Sequence, residues 1–162
     1  MNKITTSSAA AQLERMYDDL NNAFFEGELL PDVIITLKCT KGAYGHFTTG
    51  QVWRVDESTH KHEINISSAT LDRPILQTAA TLLHEMVHFY CHINNIRDTS
   101  NHGVYHNHKY KEAALDHGLL VSYVNHYGWT NTQPSDVLRL LAVEKAWPQI
   151  KLVEDTRNYP AY

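Results

Sequence analysis

Cysteine is scarce in this chain of 162 residues: there are two, Cys39 and Cys91. They are too few for a disulfide framework, and too far apart for the paired-cysteine spacing of a zinc finger or zinc ribbon. Any zinc bound here must therefore rely on histidine. No run approaches the roughly 18 apolar residues of a membrane span, and Met1-Asn2-Lys3-Ile4-Thr5-Thr6 forms no apolar signal region. An intracellular, cytoplasmic protein without membrane contact is the expectation. Basic residues are also thin: 14 Lys and Arg are dispersed along a chain of net charge −4. That is not the dense basic stripe of a dedicated nucleic-acid binder. With no internal repeat or low-complexity tract, residues 1–148 read as one domain and residues 149–162 as a C-terminal tail. The 43% hydrophobic and 20% charged content is that of a globular domain with its own core.

Histidine, in contrast, is abundant, with 11 residues. Two of them stand in His84-Glu85-Met86-Val87-His88, inside an apolar stretch. Histidines four apart on a helix lie on one face, about 5–6 Å apart, so both rings can reach one metal ion. Glu85 is turned about 100° from His84, beside the ion without being its ligand. Zinc held by neutral imidazoles lowers the pKa of a bound water to about 7, and a neighbouring carboxylate can take its proton as the water attacks a carbonyl. This is the HExxH logic of metallopeptidases. The bland alternative is two histidines on a half-buried helix face with Glu85 solvated. An apolar surround on nearly all sides argues against it.

The elements follow from spacing. Ser7 or Ser8 caps a first helix to about Gly27, with Leu13, Met16, Tyr17, Leu20, Ala23 and Phe24 on its apolar face. Pro31-Asp32 marks a turn. Residues 33–38 read as a strand, 44–49 and 52–55 as a second strand broken at Gly50, and 63–67 as a half-buried third. Together they predict a small three-stranded sheet, antiparallel or mixed. Asp72 is the expected cap of the HExxH helix, with Pro74 in its first turn. Leu76, Ala79, Leu83, Met86, Tyr90 and Ile93 define its core face. Residues 97–105 read as a loop, 106–117 as a helix stopped at Gly118, 119–124 as an extended segment, and Pro134-Ser135-Asp136 as the start of a last helix ending near Trp147-Pro148. The class is α+β.

A catalytic zinc needs a third protein ligand. His102, His106, His108, Glu112, Asp116 and His117 are the downstream candidates. If residues 106–117 are helical, His106 shares the apolar face of Tyr110, Ala113 and His117, whereas His108 and Glu112 point elsewhere. Geometry favours His106 over the loop residue His102, which stays an alternative. His92 lies two turns beyond His84, too far along the axis to join the same ion. The metzincin pattern fails, because Cys91 and Asn94 stand where Gly and a third His are needed and no methionine follows Met86. A thermolysin-type glutamate would have to be Glu112, on the wrong face.

Several stretches resemble the SprT-like family of zinc metallopeptidases: Leu20-Asn21 with Phe24-Phe25-Glu26-Gly27-Glu28-Leu29, Ala43-Tyr44-Gly45-His46-Phe47, Glu63-Ile64-Asn65-Ile66, Thr81 through His88, and Tyr105 through Ala113. The family pattern of a third histidine with an aromatic four residues on is met by His106 and Tyr110. His102-Gly103 echoes a His-Gly pair of the family but has no aromatic four on. The resemblance implies a minimal zincin, a zinc ion on His84, His88 and His106, Glu85 as general base, and hydrolysis of peptide bonds in a protein or peptide substrate. Relatives such as Spartan act on proteins crosslinked to DNA. DNA association is thus implied by resemblance, but the acidic charge and the lack of a four-cysteine zinc ribbon do not support it. Residues 63–67 are the expected edge strand for an extended substrate. Tyr105, Tyr110 and His46 are candidate hydrogen-bond donors to the reacting group. The competing reading is a non-catalytic zinc-containing module that binds nucleic acid or a protein partner.

Overall fold

The computed structural model describes residues 3–29 and 33–161, so the turn expected at Pro31-Asp32 lies outside the described residues. The first helix, α1 (Thr6–Phe24), starts earlier than its serines suggested. Thr5 is the cap. Its hydroxyl accepts from the Ser8 amide and the Ser8 hydroxyl accepts from the Thr5 amide, each at 3.0 Å, so Ser8 closes the box rather than opening the helix. Leu13, Met16, Tyr17 and Leu20 are buried as the spacing requires, while Ala23 is exposed and Phe24 half-buried.

Three strands follow: β1 (Val33–Thr36), β2 (Gly45–Arg54) and β3 (His60–Ile66). The order is β1-β3-β2, parallel between β1 and β3 and antiparallel between β3 and β2, which makes the sheet mixed. Two expectations change here. β2 runs through Gly50, where the register shifts between Thr48 and Trp53 instead of the strand ending. β3 is the central strand, so it offers no free edge to a substrate. It is also buried on both faces from His62 to Ile66. Ile64 and Ile66 join the core, while Asn65 on the other face is satisfied by the segment after β1. Its Oδ1 accepts from Lys38 N at 2.7 Å, and its Nδ2 donates to Lys38 O at 3.0 Å. Glu63 accepts from Trp53 Nε1 at 3.0 Å and pairs with Lys38 Nζ at 2.8 Å.

The central helix is α2 (Ile75–Ile93), capped at Pro74 rather than at Asp72. A proline disfavours helical geometry at the residue before it, which works against an earlier start. Its first free amide, Ile75 N, is met by Gln149 Oε1 at 2.9 Å, a cap supplied by the end of the chain. Leu82, Leu83, Met86 and Phe89 are buried, with Ala79, Val87 and Cys91 widening the contact almost all round.

Beyond α2 the chain builds a second sheet that the spacing did not predict. Its strands are β4 (Thr99–Ser100), β5 (Tyr105–His106), β6 (Leu119–Val124) and β7 (Gly128–Pro134), in the order β4-β5-β7-β6. Residues 97–105 are therefore not wholly a loop. Between β5 and β6 lies α3 (His108–Asp116), whose cap Asn107 accepts from the Lys109 and Tyr110 amides. The expected helix start at His106 is thus two residues too early. The last helix, α4 (Asp136–Lys145), is capped by Ser135. The final stretch folds back: Ile150 is buried, and Glu154 N donates to Ser68 O at 3.0 Å. No helix among the described residues is long and apolar enough to cross a membrane.

Candidate metal centre

α2 supplies His84 and His88 one turn apart, and β5 carries His106 to meet them. The ring centroids are 5.0 Å apart for His84 and His88, 5.3 Å for His84 and His106, and 4.8 Å for His88 and His106. One nitrogen from each lies within 4.8 Å of the others. His88 Nε2 and His106 Nε2 are 3.0 Å apart. That is near the ~3.3 Å edge of a tetrahedron with metal–nitrogen bonds of about 2.0 Å. The outer nitrogens of the helical pair are taken. His88 Nδ1 lies 2.6 Å from Asp98 Oδ2, and His84 Nδ1 lies 3.0 Å from Thr132 Oγ1. A proton donated outward from Nδ1 leaves a lone pair on Nε2, facing the centre. His106 Nδ1 is buried without a partner. His106 Nε2, by contrast, is turned toward the nitrogens of the helical pair. A divalent ion with a taste for imidazole fits this donor set, and these three histidines can hold one.

Burial tunes the same groups. Burial first, then the neighbouring His88 and His106, holds His84 well below the usual histidine range. Burial and His88 pull His106 down to about 4. Both rings are thus neutral at pH 7, the form that binds metal. Glu85 is not among the converging ligand atoms. The residue is 6% exposed, and burial pushes its pKa up to about 7 against the opposing pull of His88 and of the Phe47 backbone N–H.

Tyr110 lies beneath the three imidazoles, fully buried, its ring stacked on His88 at 4.5 Å. Its hydroxyl donates to the His84 carbonyl at 3.2 Å, so it braces the cluster and is not free to donate to a reacting group. Tyr105 faces Tyr123 at 6.5 Å, and His46 is exposed on β2. His102 sits at an exposed tip between β4 and β5 with φ 56° and is not in the converging group. His108, Glu112 and Asp116 are exposed on α3, and the His117 ring stacks on Phe25 at 4.5 Å. His92 is exposed, with its ring 5.1 Å from His62. Asp98 and Thr132 were not picked out as site residues. Asp98 falls in the stretch whose polarity reads as a loop, and Thr132 lies between the extended segment and the last helix, where no spacing marks it.

The cluster opens into a cleft of about 750 Å³. One wall is β2 from Gly45 to Thr49, the floor is α2, and the other wall combines residues 98–103 with residues 130–133 of β7. A model of the SprT-like family matches residues 13–123, more than half of the chain. The chain belongs to the SprT-like family. No curated protein and no solved structure matches it. The SprT-like match spans α1 through β6 and contains His84, Glu85, His88 and His106, whereas Thr132 lies beyond it. The α+β architecture with small sheets and four helices is compatible with a SprT-like domain.

Proposed function

We infer that this chain is a zinc-dependent peptidase that hydrolyses peptide bonds of protein or peptide substrates lying in the cleft. His84, His88 and His106 would hold the ion, and the observation that carries the reading is the buried Glu85 carboxyl set beside them on the cleft floor. Bound zinc would supply Lewis acidity, polarising the scissile carbonyl and making water acidic enough to give up a proton at neutral pH. Glu85 is the base for that proton. Its carboxylate accepts the proton from water and passes it to the departing amine. Tyr110 and Asp98 keep the imidazoles in place.

Substrate pairing belongs to β2. It is an edge strand of the first sheet and, unlike the other edge strand β1, lines the cleft, so an extended peptide can add to it. Glu85→Gln keeps the shape and removes the base. Cleavage of a panel of unfolded and DNA-bound proteins should fall by about 10²–10⁴-fold, while one equivalent of zinc remains bound. Wild type and Glu85→Gln equally inert, each with its zinc, would favour the non-catalytic binding module instead.

A further inference from the structure

Arg73 is the only lysine or arginine among the described residues lining the cleft. Its guanidinium carbon lies 3.6 Å from the centre of the Tyr44 ring, and Nη1 donates to Thr81 Oγ1 at 3.0 Å. The ring fixes the plane of the fork and Thr81 fixes its rotation. One of five N–H donors is committed by that bond, and the cation has no carboxylate. The ion pairs of the described residues are Lys38–Glu63, His88–Asp98, Lys145–Asp19 and Arg157–Asp155. The two acids lining the cleft are Glu85, beside the histidines, and Asp98, paired with His88. The half-buried guanidinium is held in place with its remaining donors open to the cleft, where a visiting carboxylate can accept from them. Thr81 stands one turn before His84 on α2, about 5 Å along the axis. An extended peptide advances about 3.4 Å per residue, so a fork held at Thr81 would meet the first or second residue from a bond cleaved beside His84, on the Tyr44 side.

We propose that Arg73, clamped between Tyr44 and Thr81, anchors a carboxylate subsite, so that the cleft selects substrates with an acidic side chain or a free C-terminal carboxylate next to the cleaved bond. A nucleic-acid backbone is the poorer fit, because a polyanion is held by many cations and here there is one, in a chain of net charge −4. Cleavage as a readout rests on the peptidase reading above; binding does not.

Paired peptides test it, with Glu against Gln at each position flanking the scissile bond and a free against an amidated C-terminus. Wild-type enzyme should show kcat/KM about tenfold higher for the carboxylate at one position, and the pair that responds tells side chain from terminus. Arg73→Gln should bring that ratio close to one, and Arg73→Lys should keep part of it, because a point charge lacks the fork. Arg73→Glu should turn the preference toward a lysine peptide, which a misfolded protein cannot do. Binding of the same labelled peptides to zinc-loaded Glu85→Gln protein, with and without Arg73→Gln, reads the subsite without turnover. Arg73-dependent binding of acidic peptides that wild type never cleaves would overturn the peptidase reading and support the subsite. Acid and amide peptides handled alike, bound or unbound, would overturn the subsite, as would a preference that survives Arg73→Gln. Loss on Arg73→Gln of oligonucleotide binding alone would overturn it in favour of phosphate.

Discussion

Asp98 does for His88 what sequence spacing could not reveal. At 2.6 Å from Nδ1, with both side chains about 15% exposed, its carboxylate fixes the ring tautomer and makes Nε2 a better donor to a cation. Thr132 does the same for His84 with a neutral hydroxyl at 3.0 Å, a weaker device. Asp98→Asn should therefore weaken zinc binding by about 10–100-fold, and Thr132→Val by less. Competition against a chromophoric chelator measures both. If Asp98→Asn holds zinc as tightly as wild type, the Asp98–His88 bond has no part in the site. Tyr110 illustrates the opposite lesson at this scale. A phenol beside a metal cluster invites a catalytic role, yet its hydroxyl is spent on the His84 carbonyl and burial holds its pKa well above the ordinary value.

Among elements, β7 decides where His106 stands. Gly128 pairs in parallel with His106, and the His106 amide donates to Tyr127 O at 3.0 Å. Gly128 has φ +76°, and a Cβ placed there would run into the His106 carbonyl oxygen and come within 3.0 Å of the Tyr105 ring. Gly128→Ala thus forces the left-handed region on a residue with a side chain and pushes a proposed ligand's backbone. It should cost about 2–4 kcal/mol in urea denaturation and lower zinc affinity together. Lost stability with intact zinc binding would show that β7 supports the fold without positioning His106. This element was hidden in the sequence. Gly128-Trp129-Thr130-Asn131-Thr132-Gln133-Pro134 has little apolar alternation and ends in proline, all signals of a loop. It is a strand because β6, legible as an apolar run, and β5 pair with it on both sides. α2 was legible because its apolar period and its histidine spacing are local. The meeting of His106 with that helix was anticipated from a face on α3, whereas His106 precedes α3 and arrives on β5. The order of β1-β3-β2 was not legible either, since alternation alone does not say which strand lies in the middle.

For the whole molecule, the three histidines fasten a short hairpin to a core that already runs from α1 through α3 and β6. α1 and the sheet β1-β3-β2 share a continuous core with α2, including Leu13, Leu20, Ile64 and Phe89, and none of these depends on a metal. The hairpin of β4 and β5 has two residues per strand, too short to be stable alone. It is fastened by His106 at the cluster, by Asp98 on His88 and by the pairing with β7. An ion bound only by the folded state adds stability by mass action, about 4 kcal/mol when zinc is 1,000-fold above its dissociation constant. For a domain of this size that is roughly 10 °C in Tm. Chelation should therefore lower Tm by about that amount, and the loss should be uneven. Amide hydrogen exchange should quicken most across residues 98–106 and 128–134, and little in α1 or β3, whose bonds lie outside the hairpin. A Tm unmoved by chelation, or exchange that rises evenly through the whole chain, would mean that the hairpin is held by packing alone and that the cluster does not fasten it.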